Sequence, residues 1–137
     1  MSLNSTNTQR ESNSGRSGVM SLGGPGLRAF VNIAEAWGLS IAEQLKLLGI
    51  ASRSTFFKWR REREPKLPRD TLERLSYVLG IYKSLQILLP DPKAADAWIR
   101  KPNLATPFGG GSALERMLSG QVADLYVVRQ YLDAERG

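Results

Sequence analysis

A segment near the middle of the chain combines hydroxyl and basic side chains at the start of a predicted helix. Residues 52–63 read SRSTFFKWRRER, so that Ser, Arg, Ser and Thr precede the aromatic residues. Such side chains bind phosphate oxygens and base edges, and the N-terminus of a helix also favours an anion. This residue pattern is typical of nucleic-acid binding rather than of bond-making chemistry.

The residues needed for most catalytic sites are missing from the sequence. The 137 residues include no cysteine and no histidine, which excludes disulfides, Ser-His-Asp and Cys-His catalysis, and zinc sites built on these residues. The carboxylates are the remaining catalytic option, but acidic residues on helices usually lie on solvated faces. We therefore expect no enzyme activity, no metal site and no cofactor.

The positive charge is concentrated in one part of the chain. The formal net charge is +6, and residues 53–90 hold nine basic and four acidic side chains. Residues 91–137 hold six of each and are therefore neutral. The basic segment suits a phosphate-backbone partner, whereas the neutral third suits a protein interface.

Hydrophobic periodicity predicts an all-α protein of about seven helices without a strand. Residues 1–24 are rich in Ser, Asn, Thr and Gly and predict a flexible N-terminal arm. We expect a helix-turn-helix domain over 25–90 and a small helical domain over 91–137. No apolar run reaches the roughly 18 residues of a membrane helix, and no secretion signal is seen, so a cytoplasmic protein without a membrane partner is expected.

Residues 40–63, which contain the second and third predicted helices, have the shape of a helix-turn-helix, and a first predicted helix precedes them. The first ends at Gly38 and has a buried face formed by Leu27, Phe30, Val31, Ala34 and Trp37. A capping box of Ser40 and Glu43 starts the second, whose inward residues are Ile41, Ala42, Leu45 and Leu48. Gly49 ends it, and either Ser52 or Ser54 caps the third helix. Phe56 is expected in the core, whereas Phe57 and Trp59 either join it or contact DNA.

Pro65 and Pro68 separate these helices from a long fourth one, which Pro90 ends. Its apolar stripe comprises Leu72, Leu75, Val78, Leu79, Tyr82, Leu85, Leu88 and Leu89. Gly80 within it predicts either a bend or a close helix contact. The last helix is expected to bury Val122, Leu125, Tyr126, Val128 and Leu132.

The third helix is the predicted recognition helix. Its N-terminal part would enter the major groove, with sequence readout by Arg53, Ser54, Thr55 and Lys58 and with Ser52 at its start. Four further cations would hold the phosphate backbone: Arg60, Arg61, Lys66 and Arg69. The alternative is a solvated face on which Glu62 and Glu64 neutralise these cations.

The C-terminal stretch has a specific pattern. It consists of a Trp98 helix, Pro102-Asn103, a Phe108-Gly109 loop, a capped helix from Ser112 to Leu118, and a final helix. This stretch resembles the C-terminal toxin-binding domain of the Xre/MbcA/ParS antitoxins. The upstream RSTFFKW segment is similar to the Xre-like N-terminal domain of that family.

The resemblance implies a type II antitoxin. Its partner would be a RES-domain toxin that consumes NAD⁺, and the antitoxin would block the toxin's NAD⁺ site and repress its own operator. A homodimer or a hetero-oligomer with the toxin is expected. The toxin-binding residues implied by the family pattern are Trp98, Lys101, Pro102, Asn103, Phe108, Gly109 and Arg116. For Phe108, partner contact and core packing remain equal alternatives.

Two other functions fit the same residues. One is a stand-alone transcription factor whose C-terminal part dimerises or senses a ligand. The other is a protein-interaction module whose helix-turn-helix does not bind DNA.

Overall fold

The apolar spacing of the sequence produces a bundle of helices, with each turn marked by a cap, a proline or a glycine. The computed structural model describes residues 23–137, and these residues form seven α-helices and no strand, which confirms the all-α prediction. The helices are α1 (Gly23–Trp37), α2 (Ile41–Leu48), α3 (Arg53–Arg61), α4 (Arg69–Leu88), α5 (Pro92–Ala97), α6 (Ala113–Met117) and α7 (Val122–Glu135). A single 3-10 turn, Trp98–Arg100, continues from α5.

Helix α1 begins earlier than its apolar period suggests. Gly23 and Gly24 are helical and buried, whereas residues 1–22 of the predicted arm lie outside the described part of the chain. A Cβ on Gly23 would lie 2.8 Å from the carbonyl oxygen of Pro65, and one on Gly24 2.5 Å from that of Arg63. The absence of side chains therefore lets α1 start directly against the segment that follows α3.

Helix α2 has both predicted ends but a different buried face. The Ser40 hydroxyl accepts a hydrogen bond from the Glu43 amide at 3.1 Å, and Gly49 ends the helix at φ 72°. The expectation that Ala42 faces inward is wrong, because it is exposed while Gln44 and Leu47 are buried. Because α2 packs against both α3 and α4, its buried face includes Gln44 and Leu47 instead of Ala42.

Helix α4 is central, since it packs against α1, α2, α5 and α7. Leu75, Val78 and Leu85 are buried as predicted, and Ile81, outside the predicted stripe, is fully buried too. A helix with several neighbours needs apolar residues on more than one face. Gly80 marks a close helix contact, because the guanidinium group of Arg129 from α7 lies where a Cβ would be.

Helix α7 completes a core that runs through both halves of the described chain. Leu125, Val128 and Leu132 are buried against it, whereas Tyr126 is 46% exposed, so its predicted inward position is wrong. Tyr126, the residue after Leu125, lies beside this buried face, and its ring centre lies 5.8 Å from that of Tyr77. Within residues 23–137, no helix is both long and apolar enough to cross a membrane.

Candidate nucleic-acid interface and partner-binding loop

The turn between α2 and α3 is closed by a serine cap. The Ser52 hydroxyl accepts a hydrogen bond from the Thr55 amide at 3.2 Å and lies 2.9 Å from the Ser54 hydroxyl. Of the two predicted caps, Ser52 is the one that the structure uses. Capping satisfies an otherwise unpaired amide at the start of α3 and sets where the helix begins.

The predicted DNA-binding residues lie between the N-cap of α3 and the start of α4. Eight are exposed and Thr55 is half-buried; the exposed ones are Ser52, Arg53, Ser54, Lys58, Arg60, Arg61, Lys66 and Arg69. Lys58 lies 3.9 Å from Glu62, with 66% and 41% of their side chains exposed. Such a surface pair contributes little, so Glu62 does not hold Lys58 away from a phosphate.

The three aromatic residues of α3 divide between the core and the surface. Phe56 is fully buried and Trp59 is 8% exposed, so both belong to the core. Phe57 is half-buried, and the guanidinium groups of Arg53 and Arg60 lie 6.0 and 5.6 Å from its ring centre. Cations over an aromatic face are held there at modest energy, so the ring orients two of the predicted DNA-binding side chains.

The loop between the 3-10 turn and α6 is closed on itself by hydrogen bonds. The Asn103 amide donates to the carbonyl oxygen of Gly111 at 2.9 Å, and the Gly110 amide donates to that of Asn103 at 2.8 Å. The side-chain oxygen of Asn103 also accepts from the amide of Ala105 at 2.8 Å. Asn103 therefore shapes the loop from within.

Phe108 anchors this loop in the core. It is 9% exposed, and its ring meets those of Trp98 and Tyr131 edge-on at 6.0 and 5.2 Å. Trp98 and Tyr131 also stack with their planes 19° apart. Of the two roles left open for Phe108, the structure shows core packing.

Arg116 ties the loop to α7. Its guanidinium group donates to the carbonyl oxygen of Pro107 at 2.6 Å and to Asp124 at 2.9 Å. The Ser119 hydroxyl and then Arg116 lower the pKa of Asp124, against the opposing effect of burial. A lowered folded-state pKa stabilises the fold above the ordinary pKa of about 3.8, and this stability is lost as the pH falls through the lowered value.

The remaining predicted partner-binding residues form the outer side of the loop. Lys101, Pro102 and Gly109 are exposed, and Gly109 has open space around it at φ 57°. Leu104, which is not among the predicted partner-binding residues, is 93% exposed. Its apolar character and position between helices give no signal of exposure, since a leucine in such a place usually joins the core.

Two arginines outside the predicted site join the two halves of the described chain. Arg74 donates to Asp70 at 2.8 Å and to the carbonyl oxygen of Gly120 at 3.0 Å. Arg100 donates to the carbonyl oxygens of Trp37 and Gly38 at 3.1 and 2.9 Å. Both therefore connect the helix-turn-helix to the segment that carries the loop.

Comparisons with known proteins agree with this arrangement. Residues 20–80 match the model of the antitoxin Xre-like helix-turn-helix domain, and residues 84–137 match that of the antitoxin Xre/MbcA/ParS C-terminal toxin-binding domain. A protein of Sinorhizobium fredii, described as uncharacterized protein y4oB, is 55% identical over 111 residues. The match covers 81% of this chain and 84% of that protein.

The first matched region contains α3 and the predicted DNA-binding residues. The second contains α7 and the braced loop, which is the hydrogen-bonded segment over residues 101–112. Neither of the two matched domain families is enzymatic. The chain belongs to the Xre/MbcA/ParS antitoxins, with an Xre-like helix-turn-helix domain followed by a C-terminal toxin-binding domain.

Proposed function

We propose that this chain is the antitoxin of a type II system that neutralises a RES-domain, NAD⁺-consuming toxin by blocking its active site, and that it represses its own operon. The observation that carries the proposal is that one antitoxin chain exposes the predicted DNA-binding residues in its helix-turn-helix region and a loop in its toxin-binding region. The basic surface lies on and after α3, and the braced loop lies in the matched toxin-binding region. Both partners would meet the chain in the bacterial cytoplasm.

The DNA-binding half of the proposal rests on α3. Its N-terminal residues enter the major groove, where Arg53, Ser54 and Lys58 reach base edges while Arg60 and Arg61 hold phosphates. Lys66 and Arg69 extend the backbone contact beyond the helix. A dimer of the chain would read two half-sites about one helical turn apart.

The toxin-binding half divides the predicted residues between contact and support. Lys101, Pro102 and Gly109 are exposed and contact the toxin, with the half-buried Trp98 beside the loop. Phe108, Asn103 and Arg116 instead hold the loop in its shape through the contacts described above. A rigid loop binds more tightly, because less conformational freedom is lost in the complex.

Co-expression with the product of the adjacent gene, which we expect to be a RES-domain protein, tests the toxin half. We expect cells that make the toxin alone to stop growing, and cells that also make this chain to grow and to yield a co-purified complex. An active-site variant of the toxin serves as the expression control. Equal growth arrest with and without this chain would refute the neutralisation.

Operator binding tests the DNA half. We expect Arg53→Ala and Lys58→Ala each to weaken binding to the upstream operator about tenfold, because each removes a base contact of about 1–3 kcal/mol. Fluorescence anisotropy measured at several salt concentrations gives the affinity and the salt slope. Lys93→Ala, which changes an exposed lysine on α5, is the matched control and should bind as the parent chain does.

The DNA measurement also separates the proposed function from an interaction module without DNA binding. Such a module would show weak binding that is equal for operator and unrelated DNA. If the parent chain binds the operator specifically and both α3 variants bind it equally well, α3 is not the recognition helix.

A further inference from the structure

Leu104 is the most exposed large apolar side chain in the part of the chain that the structure describes. Its 93% exposure compares with 52% for Ile87 and 46% for Tyr126. Exposed apolar residues are common singly on protein surfaces, so exposure alone does not make a binding site. The backbone that carries Leu104 supplies the further argument.

The backbone on both sides of Leu104 is held rigidly. The backbone of Asn103 accepts a hydrogen bond from the amide of Gly110 and donates one to the carbonyl oxygen of Gly111. Its side-chain oxygen accepts a hydrogen bond from the amide of Ala105. The amides of Phe108 and Gly109 both donate to the carbonyl oxygen of Ala105, at 2.9 and 3.1 Å. Hydrogen bonds therefore fix the backbone of Asn103 and Ala105 on either side of Leu104, whose side chain is exposed to solvent.

The base of the loop is fixed to the core as well. Phe108 inserts between Trp98 and Tyr131, and Arg116 holds the carbonyl oxygen of Pro107. A Cβ on Gly110 would lie 4.0 Å from a terminal methyl carbon of Leu104, so the glycine leaves that side chain free of contact. An exposed apolar side chain on a backbone fixed by hydrogen bonds resembles the anchor residues of protein interfaces. Such a residue loses little backbone freedom when the complex forms.

The position of Leu104 selects its partner. It lies in the region matched by the toxin-binding domain, and the segment from residue 91 onward carries no net charge. These two features favour a pocket on the toxin, rather than a second copy of this chain, as the partner of Leu104.

We propose that Leu104 is the apolar anchor of the toxin interface and that it fills a pocket of aliphatic or aromatic side chains on the toxin. This inference rests on the proposed function, since it assumes that the toxin is the partner of the loop. Lys101 and Pro102 then form part of the rim that surrounds the anchor.

Titration of the purified antitoxin with the purified RES-domain toxin that the proposed function expects from the adjacent gene tests the anchor. We expect Leu104→Asp to weaken the complex about 100-fold and Leu104→Met to bind within about threefold of the parent chain, because methionine keeps the apolar volume. Leu104→Asp should melt at the parent temperature, since the side chain is exposed. Ile87→Asp, the same chemical change at an exposed site outside the loop, should bind like the parent chain.

The possible outcomes distinguish the anchor from the proposed function. Tight binding by both the parent chain and Leu104→Asp would overturn the anchor and leave the proposed function intact. Equal losses in Leu104→Asp and Ile87→Asp would assign the effect to charge and also overturn it. A Leu104→Asp chain that changes its mass in sedimentation but not its toxin affinity would assign the surface to a second copy. A parent chain that does not bind the toxin would overturn both proposals.

Discussion

Phe108→Ala is expected to lower the free energy of unfolding by about 3–4 kcal/mol, the largest effect that we predict for a single substitution. The ring is 9% exposed and packs edge-on against Trp98 and Tyr131. Removing it loses the transfer free energy of a large apolar side chain and leaves a cavity that the stacked rings can only partly fill. Urea unfolding followed by tryptophan fluorescence measures the change.

Phe108→Leu is the control for this substitution, because it keeps most of the apolar volume and should cost about 1 kcal/mol. Equal stability of the parent chain and Phe108→Ala would contradict the core role of the ring. The alanine variant should also bind the toxin less tightly, because the loop loses its support. This loss is accompanied by a lower melting temperature, which distinguishes it from the effect of replacing Leu104.

Arg74→Met should produce the second largest change, a loss of about 2–3 kcal/mol in the free energy of unfolding. The side chain is 10% exposed and donates to Asp70 and to the carbonyl oxygen of Gly120. Methionine keeps the length of the side chain but leaves that carbonyl oxygen without its charged donor. Because half of the Asp70 side chain is exposed, water can replace its partner, and the expected loss stays below that of a fully buried pair.

Arg69→Met is the matched control, since Arg69 lies exposed at the start of the same helix. It should change the free energy of unfolding by less than about 0.5 kcal/mol. Thermal unfolding followed by circular dichroism compares the two variants. Similar melting temperatures for Arg74→Met and Arg69→Met would show that the buried guanidinium group is not needed for stability.

The packing at Arg74 also gives the turn glycine a second role. Gly49 adopts φ 72°, a backbone conformation that glycine adopts at little cost, and a Cβ there would lie 2.5 Å from Nε of Arg74. The glycine therefore ends α2 and makes room for the arginine. One position serves both the helix-turn-helix and its connection to the C-terminal segment.

Local features of the chain were predictable from the sequence. The capping boxes at Ser40 and Ser112, the glycine ends at Gly38 and Gly49, and the proline start of α5 all occur in the structure. Each depends on residues no more than about four positions apart, so the amino-acid types alone specify it. The charge count likewise located the basic segment over residues 53–90, and eight of its nine predicted DNA-binding residues, counted with the capping Ser52, are exposed.

Features that depend on residues far apart in the chain could not be predicted as well from the sequence. Helical periodicity predicted the wrong face for Ala42 and Tyr126, because several neighbouring helices set how α2 and α7 are rotated. The pattern also left both Phe108 and Trp59 with two possible roles. Only the packing of rings and helices around them shows that they belong to the core.

By itself, the sequence determined the all-α class, the caps, the basic segment and the resemblance to the antitoxin family. The tertiary structure alone decided the two distant partners of Arg74, which lie 28 and 46 residues away at Lys46 and Gly120, and the exposure of Leu104. The physical reason is the range of the interactions. Helix caps and periods act within a turn or two of the chain, whereas burial and long-range hydrogen bonds depend on which segments the completed fold brings together.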